Sequence, residues 1–153
     1  MKKELKNTKR KNNKGFSLVE LIVVIAIMAV LMAVLAPAML RYVEKSRVQK
    51  DESAVSEAAN AAQLALADES VYKKVDSQTP ITVTIADDGT VTDDVSATGN
   101  NGVVATEVAN TVGTISLTSK TYSGQSATIQ MVYNDTKKAY VIGDVQIGTK
   151  KIN

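Results

Sequence analysis

The sequence predicts an α+β fold in which one long N-terminal helix packs on a small, mainly antiparallel β-sheet. Residues 21–40 form an uncharged aliphatic run, and residues 41–74 contain no Gly or Pro. Together these two segments favour a continuous helix with a membrane-spanning half and an amphipathic half. After Asp76 the composition changes to Thr, Val, Ile, Gly and Asp, which is typical of short strands and tight turns.

The composition excludes several classes of functional site. The 153 residues allow one compact domain plus a long helix. The chain has no Cys and no His, which excludes thiol nucleophiles and disulfides and leaves little to bind zinc. Its six aromatic residues include no Trp and would supply a nucleic-acid stacking surface poorly. We therefore expect no cofactor, no specific nucleic-acid partner and no enzyme activity, although paired-carboxylate or Ser–Lys chemistry is not formally excluded.

The charge is distributed asymmetrically along the chain. Residues 1–15 carry seven basic side chains and one acidic side chain, whereas the remaining residues carry 11 basic and 15 acidic ones. A basic head on a mildly acidic body is typical of a targeting signal and not of a nucleic-acid-binding protein.

The uncharged run that follows has the length of a transmembrane helix. At about 1.5 Å per residue, it extends over about 30 Å, the thickness of the hydrocarbon core of a bilayer. Lysines before the run predict a cytoplasmic N-terminus. A secretory signal peptide has a shorter apolar region followed by its cleavage site. Here the small residue Gly15 precedes the run, which disfavours removal of the apolar segment.

The second half of the predicted helix has two apolar stripes. The narrower stripe is the pattern of a helix lying on a core: it comprises Val48, Val55, Ala59, Ala62 and Leu66. The weaker stripe lies on the opposite side and comprises Val43, Ala54, Ala61, Leu64 and Val71. The weaker stripe either predicts a second packing partner or reflects only that alanine is a good helix former.

Residues 76–153 contain alternating apolar and polar positions that predict strands. In chain order we expect a strand over Ile81–Ile85, a turn at 87–89, an antiparallel return over 90–95, a loop over 97–102, an alternating strand over 114–118, a hairpin of 127–133 with 139–142 around Asn134, Asp135 and Thr136, and a short edge strand over 145–147.

The most specific motif lies where the basic head meets the apolar run. Residues 14–20 read Lys-Gly-Phe-Ser-Leu-Val-Glu, and the apolar run contains Pro37. This pattern closely resembles the class III signal of type IV prepilins and bacterial pseudopilins over residues 10–65. The resemblance implies that a prepilin peptidase cuts between Gly15 and Phe16 on the cytoplasmic side of the membrane and methylates the new amine of Phe16.

The resemblance also implies roles for two residues of the apolar helix. A carboxylate such as Glu20 at the edge of an apolar helix is costly unless it is paired. In the family it meets the N-terminal amine of a neighbouring subunit, which here would be that of Phe16. Pro37 should kink or loosen the helix, and an ordinary kinked membrane anchor would explain it equally well.

We therefore expect three segments: a cleaved basic leader (1–15), a long helix (16–75, with 16–40 as transmembrane segment and filament core) and a β-sheet domain (76–153). The resemblance implies a type IV pilin that forms a homo-oligomeric helical filament. Its implied partners are the prepilin peptidase, the assembly platform and its ATPase. The chain would be a single-pass membrane protein first and part of an extracellular surface filament later.

Two rival interpretations remain open. A pseudopilin of a type II secretion or DNA-uptake system carries the same signal, so the motif does not separate adhesion or twitching motility from secretion. A single-pass anchored binding protein with an uncut leader is the alternative from another class. The lack of Cys departs from the many family members that close a C-terminal loop with a disulfide.

Two further features predict turns more strongly than binding sites. Asp87, Asp88, Asp93 and Asp94 supply oxygen ligands of the kind that calcium prefers, but they do not fit the spacing of a helix–loop–helix site. Asn134-Asp135-Thr136 is formally a glycosylation sequon. We expect both groups to lie in turns or at strand edges.

Overall fold

A 50-residue helix runs from the N-terminal region into the folded part of the chain. The computed structural model describes residues 15–75, 78–95 and 102–153; the leader up to residue 14 lies outside them. Helix α1 spans Leu18–Ala67. The chain divides into two units, Met1–Leu40 and Arg41–Asn153, and α1 contributes residues to both. The predicted arrangement of a long helix on an antiparallel sheet, as in type IV pilins, is confirmed.

Helix α1 ends earlier than the sequence predicts. The expected helix extended to about Lys74, but α1 stops at Ala67 and a separate short helix, α2, spans Glu69–Tyr72. Between them Asp68 adopts an extended conformation, and its carboxylate accepts a hydrogen bond of 2.7 Å from the N–H of Ser70. An aspartate in this geometry starts a new helix, because it satisfies an N–H group that has no partner within the helix.

Five antiparallel strands form one sheet in the second unit. In chain order they are β1 Ile81–Ile85, β2 Val91–Asp93, β3 Ala127–Asn134, β4 Ala139–Ile147 and β5 Lys150–Lys151, and their spatial order is β2-β1-β3-β4-β5. The predicted pairing of β1 with its return strand is confirmed. The predicted β3–β4 hairpin is also confirmed. At its turn the side chain of Asn134 accepts hydrogen bonds from the N–H groups of Thr136 and Lys137.

A bulge in β4 explains why the strand is longer than expected. The segment 145–147, predicted as a separate edge strand, is the continuation of β4. The pairing register with β3 shifts between Ile129 and Met131. The shift brings Tyr140 and Val145, which occupy positions of opposite parity, to the same buried face. The side chain of Asn153 hydrogen-bonds Val145 N–H and the Gly143 carbonyl at the bulge.

Both edge strands of this sheet are short. The strand β2 has three residues, and β5 has two lysines that are both exposed.

Helix α3, which was not predicted from the sequence, spans Val103–Val112 between β2 and β3. The carboxylate of Asp93 accepts hydrogen bonds from Gly102 N–H and Ala105 N–H at the start of α3. Most of the expected loop over 97–102 lies outside the described residues.

The expected strand over 114–118 is wrong in its pairing but right in its alternation. The structure assigns no strand there, yet Ile115 and Leu117 are buried while their neighbours are exposed.

The narrow stripe of α1 is confirmed as the core-facing side. Val55, Ala59, Ala62 and Leu66 are buried in the same cluster as the inward residues of the sheet, with Val48 packed against it. Of the weaker stripe Ala61 and Val71 are buried, whereas Leu64 is exposed.

Candidate processing and assembly site

Gly15 and Phe16 lie in the non-helical segment that precedes α1. The ring of Phe16 is 92% exposed. A Cβ atom added at Gly15 would meet no atom within 4 Å. Packing in the described structure therefore does not require glycine at position 15, and any requirement for it would come from a molecule that recognises this segment.

Glu20 occupies the third helical position of α1. Its Oε2 accepts a hydrogen bond of 2.9 Å from the N–H of Ser17, and the carbonyl of Ser17 accepts the N–H of Leu21. This is the reciprocal half of a capping box, in which a Ser-x-x-Glu pattern satisfies a free N–H at the helix start. This local role was not predicted from the sequence, although the Ser-x-x-Glu pattern of residues 17–20 is its signal.

The same hydrogen bond places the carboxylate of Glu20 close to the predicted cleavage point. The donor N–H belongs to Ser17, the residue directly after Phe16. The carboxylate is therefore about one peptide unit from the nitrogen that cleavage would convert into an amine. The negative charge also lies in the first turn of α1, where the helix dipole favours an anion.

The apolar part of α1 is exposed along its whole length. Within the described residues α1 is the one helix that is long and apolar enough to cross a membrane, judged by length and composition. A core helix of a soluble protein would meet the same criterion, but it would be mostly buried. None of the most apolar 18-residue window of α1 is buried, so this segment has no covering surface in the described chain.

Small residues and one proline interrupt the large side chains of this segment. Every residue from Leu18 to Leu40 is exposed, including Ala26, Ala29, Ala33, Ala36 and Ala38. Helix α1 is continuous through Pro37. Because proline has no N–H, the carbonyl of Ala33 lacks its usual donor. The kink expected at Pro37 stays a prediction.

A second polar site lies in the folded unit, where α1 contacts a segment without regular structure. We call residues 114–122 the strap. The carboxylate of Asp51, which is 1% exposed, accepts hydrogen bonds from Thr118 N–H, Thr118 Oγ1 and Ser119 N–H at 2.8–3.1 Å. Burial alone raises the pKa of Asp51, but hydrogen bonds from Ser119 and Thr118 outweigh this effect and hold the pKa below its ordinary value.

Two more carboxylates of α1 hold the strap. Glu44 accepts hydrogen bonds from Thr121 N–H and Oγ1. Glu52 Oε1 accepts from Tyr122 OH at 2.5 Å and from Lys150 Nζ at 2.6 Å. The bond from Lys150, reinforced by that from Tyr122, lowers the pKa of Glu52. The strap is thus attached to α1 by three carboxylates, a structural site that the sequence analysis did not predict.

Three of the four aspartates considered for calcium act as acceptors for backbone N–H groups, and the fourth, Asp87, lies in the turn after β1. Asp88 accepts from Thr90, and Asp94 accepts from Thr82. Asp93 binds the start of α3 as described above. Among residues 15–75, 78–95 and 102–153 no group of three or more acidic side chains is arranged to hold a metal ion. These side chains support turns and a helix start.

One comparison with known proteins identifies the N-terminal segment. Residues 10–36 match the family described as the prokaryotic N-terminal methylation motif. No curated protein and no solved structure matches the chain significantly. The matched residues contain Gly15, Phe16, Glu20 and most of the apolar run. The chain therefore carries a prepilin-type methylation motif followed by a long apolar helix, and it fits a prepilin-like protein.

Proposed function

We propose that this chain is a type IV pilin, a structural subunit of a surface filament. The observation that carries the proposal is the methylation motif at residues 10–36, joined to an apolar helix with no covering surface in the described chain. In this proposal a prepilin peptidase cuts between Gly15 and Phe16, and the amine of Phe16 is methylated. Residues 1–15 are then the leader, 16–75 the helical segment and 76–153 the sheet domain.

Glu20 takes part in assembly in this proposal. Once cleavage has created an amine at Phe16, two opposite charges lie near one end of the apolar segment. The carboxylate of Glu20 binds the amine of a neighbouring subunit, which neutralises both groups as they leave the membrane and sets the register of the filament. The carboxylate lies at the end of the helix that this role requires, since it accepts a hydrogen bond from the N–H of Ser17, the residue directly after Phe16.

The apolar segment acts first as a membrane anchor and then as the filament core. In a bilayer its Val, Ile and Leu side chains contact lipid tails. In a homo-oligomeric helical filament they bury against neighbouring helices, and the small alanines allow the helices to approach closely. Pro37 loosens the helix in this packed state. An assembly platform and its ATPase move the subunit from the membrane to the extracellular filament.

Two other functions remain as alternatives. A pseudopilin of a secretion or DNA-uptake system would be processed identically, and it would form short filaments instead of long surface ones. A membrane-anchored binding protein would keep its leader, remain monomeric and bind a ligand through the sheet domain. The methylation motif favours the first alternative over the second.

The decisive measurement is the intact mass and N-terminal sequence of the protein taken from its native cells. A chain that starts at Phe16 with one added methyl group would support processing. Imaging of cells for long filaments labelled by an antibody against residues 76–153 would then separate a pilin from a pseudopilin. A chain that still starts at Met1, in cells that contain the peptidase, would contradict the proposal.

A further inference from the structure

Four basic residues follow the apolar segment within ten residues. They are Arg41, Lys45, Arg47 and Lys50, and we call them the basic collar. All four side chains are exposed. Within the described part of the chain, no carboxylate lies within 4.0 Å of any of these cations. The collar therefore presents four charges that the protein itself does not neutralise by ion pairing.

The two acids within this stretch are hydrogen-bonded to the strap and form no ion pair with these cations in the described structure. Glu44 lies between Arg41 and Lys45 in sequence, but its carboxylate accepts two hydrogen bonds from Thr121 of the strap. Those bonds hold the Glu44 carboxylate against the folded unit. Asp51, directly after Lys50, is buried, and its carboxylate accepts hydrogen bonds from Thr118 and Ser119. With four basic and two acidic side chains, residues 41–51 carry a net charge of +2.

The collar has the geometry of a headgroup-binding segment. At about 1.5 Å per residue, Arg41 and Lys50 are about 14 Å apart along the helix. Each headgroup layer adds about 5–8 Å to the hydrocarbon core. Arg41 and Lys45 fall within such a layer when Leu40 marks its inner edge. Side chains of an α-helix lean towards its N-terminus, so Arg47 and Lys50 lean back towards the same layer.

An aromatic residue supports this depth independently. Tyr42 lies within the collar, and its side chain is 74% exposed. Tyrosine is enriched at membrane–water interfaces, where the ring contacts the acyl boundary and the hydroxyl group contacts water. Phe16, also exposed, lies at the opposite end of the apolar segment. From its first residue, Leu18, to Tyr42 helix α1 extends over about 36 Å at about 1.5 Å per residue, which is comparable to the thickness of a bilayer.

We propose that the basic collar binds the phosphate groups of anionic phospholipids at the outer surface of the membrane before assembly. The inference rests on the proposed membrane anchoring. Arginine binds phosphate through two parallel hydrogen bonds, and lysine adds charge. The collar would fix the depth of the helix and would have to release its lipids when the subunit leaves the bilayer.

Spin-labelled lipids test this proposal on the full-length chain. The chain is reconstituted in phosphatidylcholine bilayers with a trace of labelled phosphatidylglycerol or labelled phosphatidylcholine, and the motionally restricted fraction of each is measured. We expect about fivefold preference for phosphatidylglycerol, which corresponds to about 1 kcal/mol, the contribution of one basic residue near a membrane surface. The variant Arg41→Gln/Lys45→Gln/Arg47→Gln/Lys50→Gln should lose most of it, and 1 M salt should weaken it in the unmodified chain.

A matched variant controls for net charge. Lys74→Gln/Lys120→Gln/Lys137→Gln/Lys138→Gln removes the same charge from exposed positions elsewhere in the folded unit and should keep the preference of the unmodified chain. The leader is identical in all variants, so its own lipid contacts cancel in the comparison. Equal loss in both variants would overturn the proposal.

Two other outcomes separate this proposal from the one it rests on. In the first outcome both labelled lipids are motionally restricted, and the collar variant keeps the preference for phosphatidylglycerol. The chain would then be anchored in the membrane, but the collar would not bind lipid. If that variant also failed to form filaments, the collar would belong to a contact with a neighbouring subunit. No restricted lipid of either kind would contradict membrane anchoring itself, and the collar proposal would fail with it.

Discussion

The two units of this chain treat their apolar side chains in opposite ways. In Arg41–Asn153 most of the large apolar residues of α1, α3 and the sheet form one buried cluster. In the described part of Met1–Leu40 every residue is exposed, although this is the most apolar stretch of the chain. The folded unit thus supplies its own core. Segment 18–40 has to obtain its surroundings from lipid or from other protein chains.

The largest expected effect falls on processing. Gly15→Leu should leave the leader attached in all of the protein, and Gly15→Ala should impair cleavage more than Ser17→Ala does, as measured by intact mass in cells with the peptidase. The folded unit should be unaffected, because position 15 lies outside it and a Cβ atom added there meets no atom within 4 Å. Normal processing of Gly15→Leu would contradict the proposed cleavage site.

The next effect separates assembly from helix capping at Glu20. Glu20→Ala should be cleaved normally, and the fraction of chains in filaments should fall by about tenfold, as expected for a lost contact of about 1.4 kcal/mol. Glutamine can replace glutamate in a capping box, so Glu20→Gln keeps the cap but loses the charge. We expect both variants to assemble poorly and the control Glu57→Ala to assemble well. Normal filaments from Glu20→Gln would reduce the role of Glu20 to capping.

A third change tests how much the buried carboxylate of Asp51 contributes to the stability of the folded unit. Asp51→Ala should lower its free energy of unfolding by about 2–3 kcal/mol, because the N–H groups of Thr118 and Ser119 lose a buried acceptor. Urea denaturation followed by the near-UV circular dichroism of the tyrosines measures this, with the exposed Glu57→Ala as control. Cleavage at Gly15 should be unchanged. Equal stability of the two variants would mean that the strap is not held by Asp51.

The smallest expected effect is on pH dependence. The pKa values of Asp51 and Glu52 are lowered by folding, so the unfolded chain binds more protons below about pH 4.5. The stability that these groups contribute is present above that pH and is lost as the pH falls through their folded-state values. Urea midpoints from pH 7 to 3 should decrease, with a shallower decrease in Asp51→Asn. An unchanged slope in this variant would assign the acid sensitivity to other groups.

The sequence predicted those features that depend on neighbours along the chain. The period of the apolar stripe identified the buried face of α1, and the turn residues located both hairpins. The helix α3 was missed because its segment is rich in Val and Thr, which favour strands. The cap that starts it comes from Asp93, which lies nine and twelve positions before the two N–H groups that it accepts.

The polar contacts of the strap were missed for the same reason. Asp51 belongs to a helix rich in charged residues and has no special signal in sequence, yet its donors are 67 and 68 positions away. Residues 114–118 alternate as a strand does, but their buried side packs beside α1 without pairing in the sheet. At the candidate site the motif predicted roles for Gly15, Phe16 and Glu20, and these roles stay predictions. Only the structure showed that Glu20 also caps α1.

The short edges of the sheet have a consequence for the protein at high local concentration. An exposed long edge strand can recruit a strand from another chain and start aggregation. Here one edge is the three-residue β2, and at the other edge the two exposed lysines of β5 pair only with Gln146 and Ile147 of β4. A strand from another copy would find three residues to pair with at the β2 edge and two lysine charges at the end of the opposite edge. In the proposed filament this disfavours growth through sheet extension and leaves the apolar helix as the surface through which copies would join.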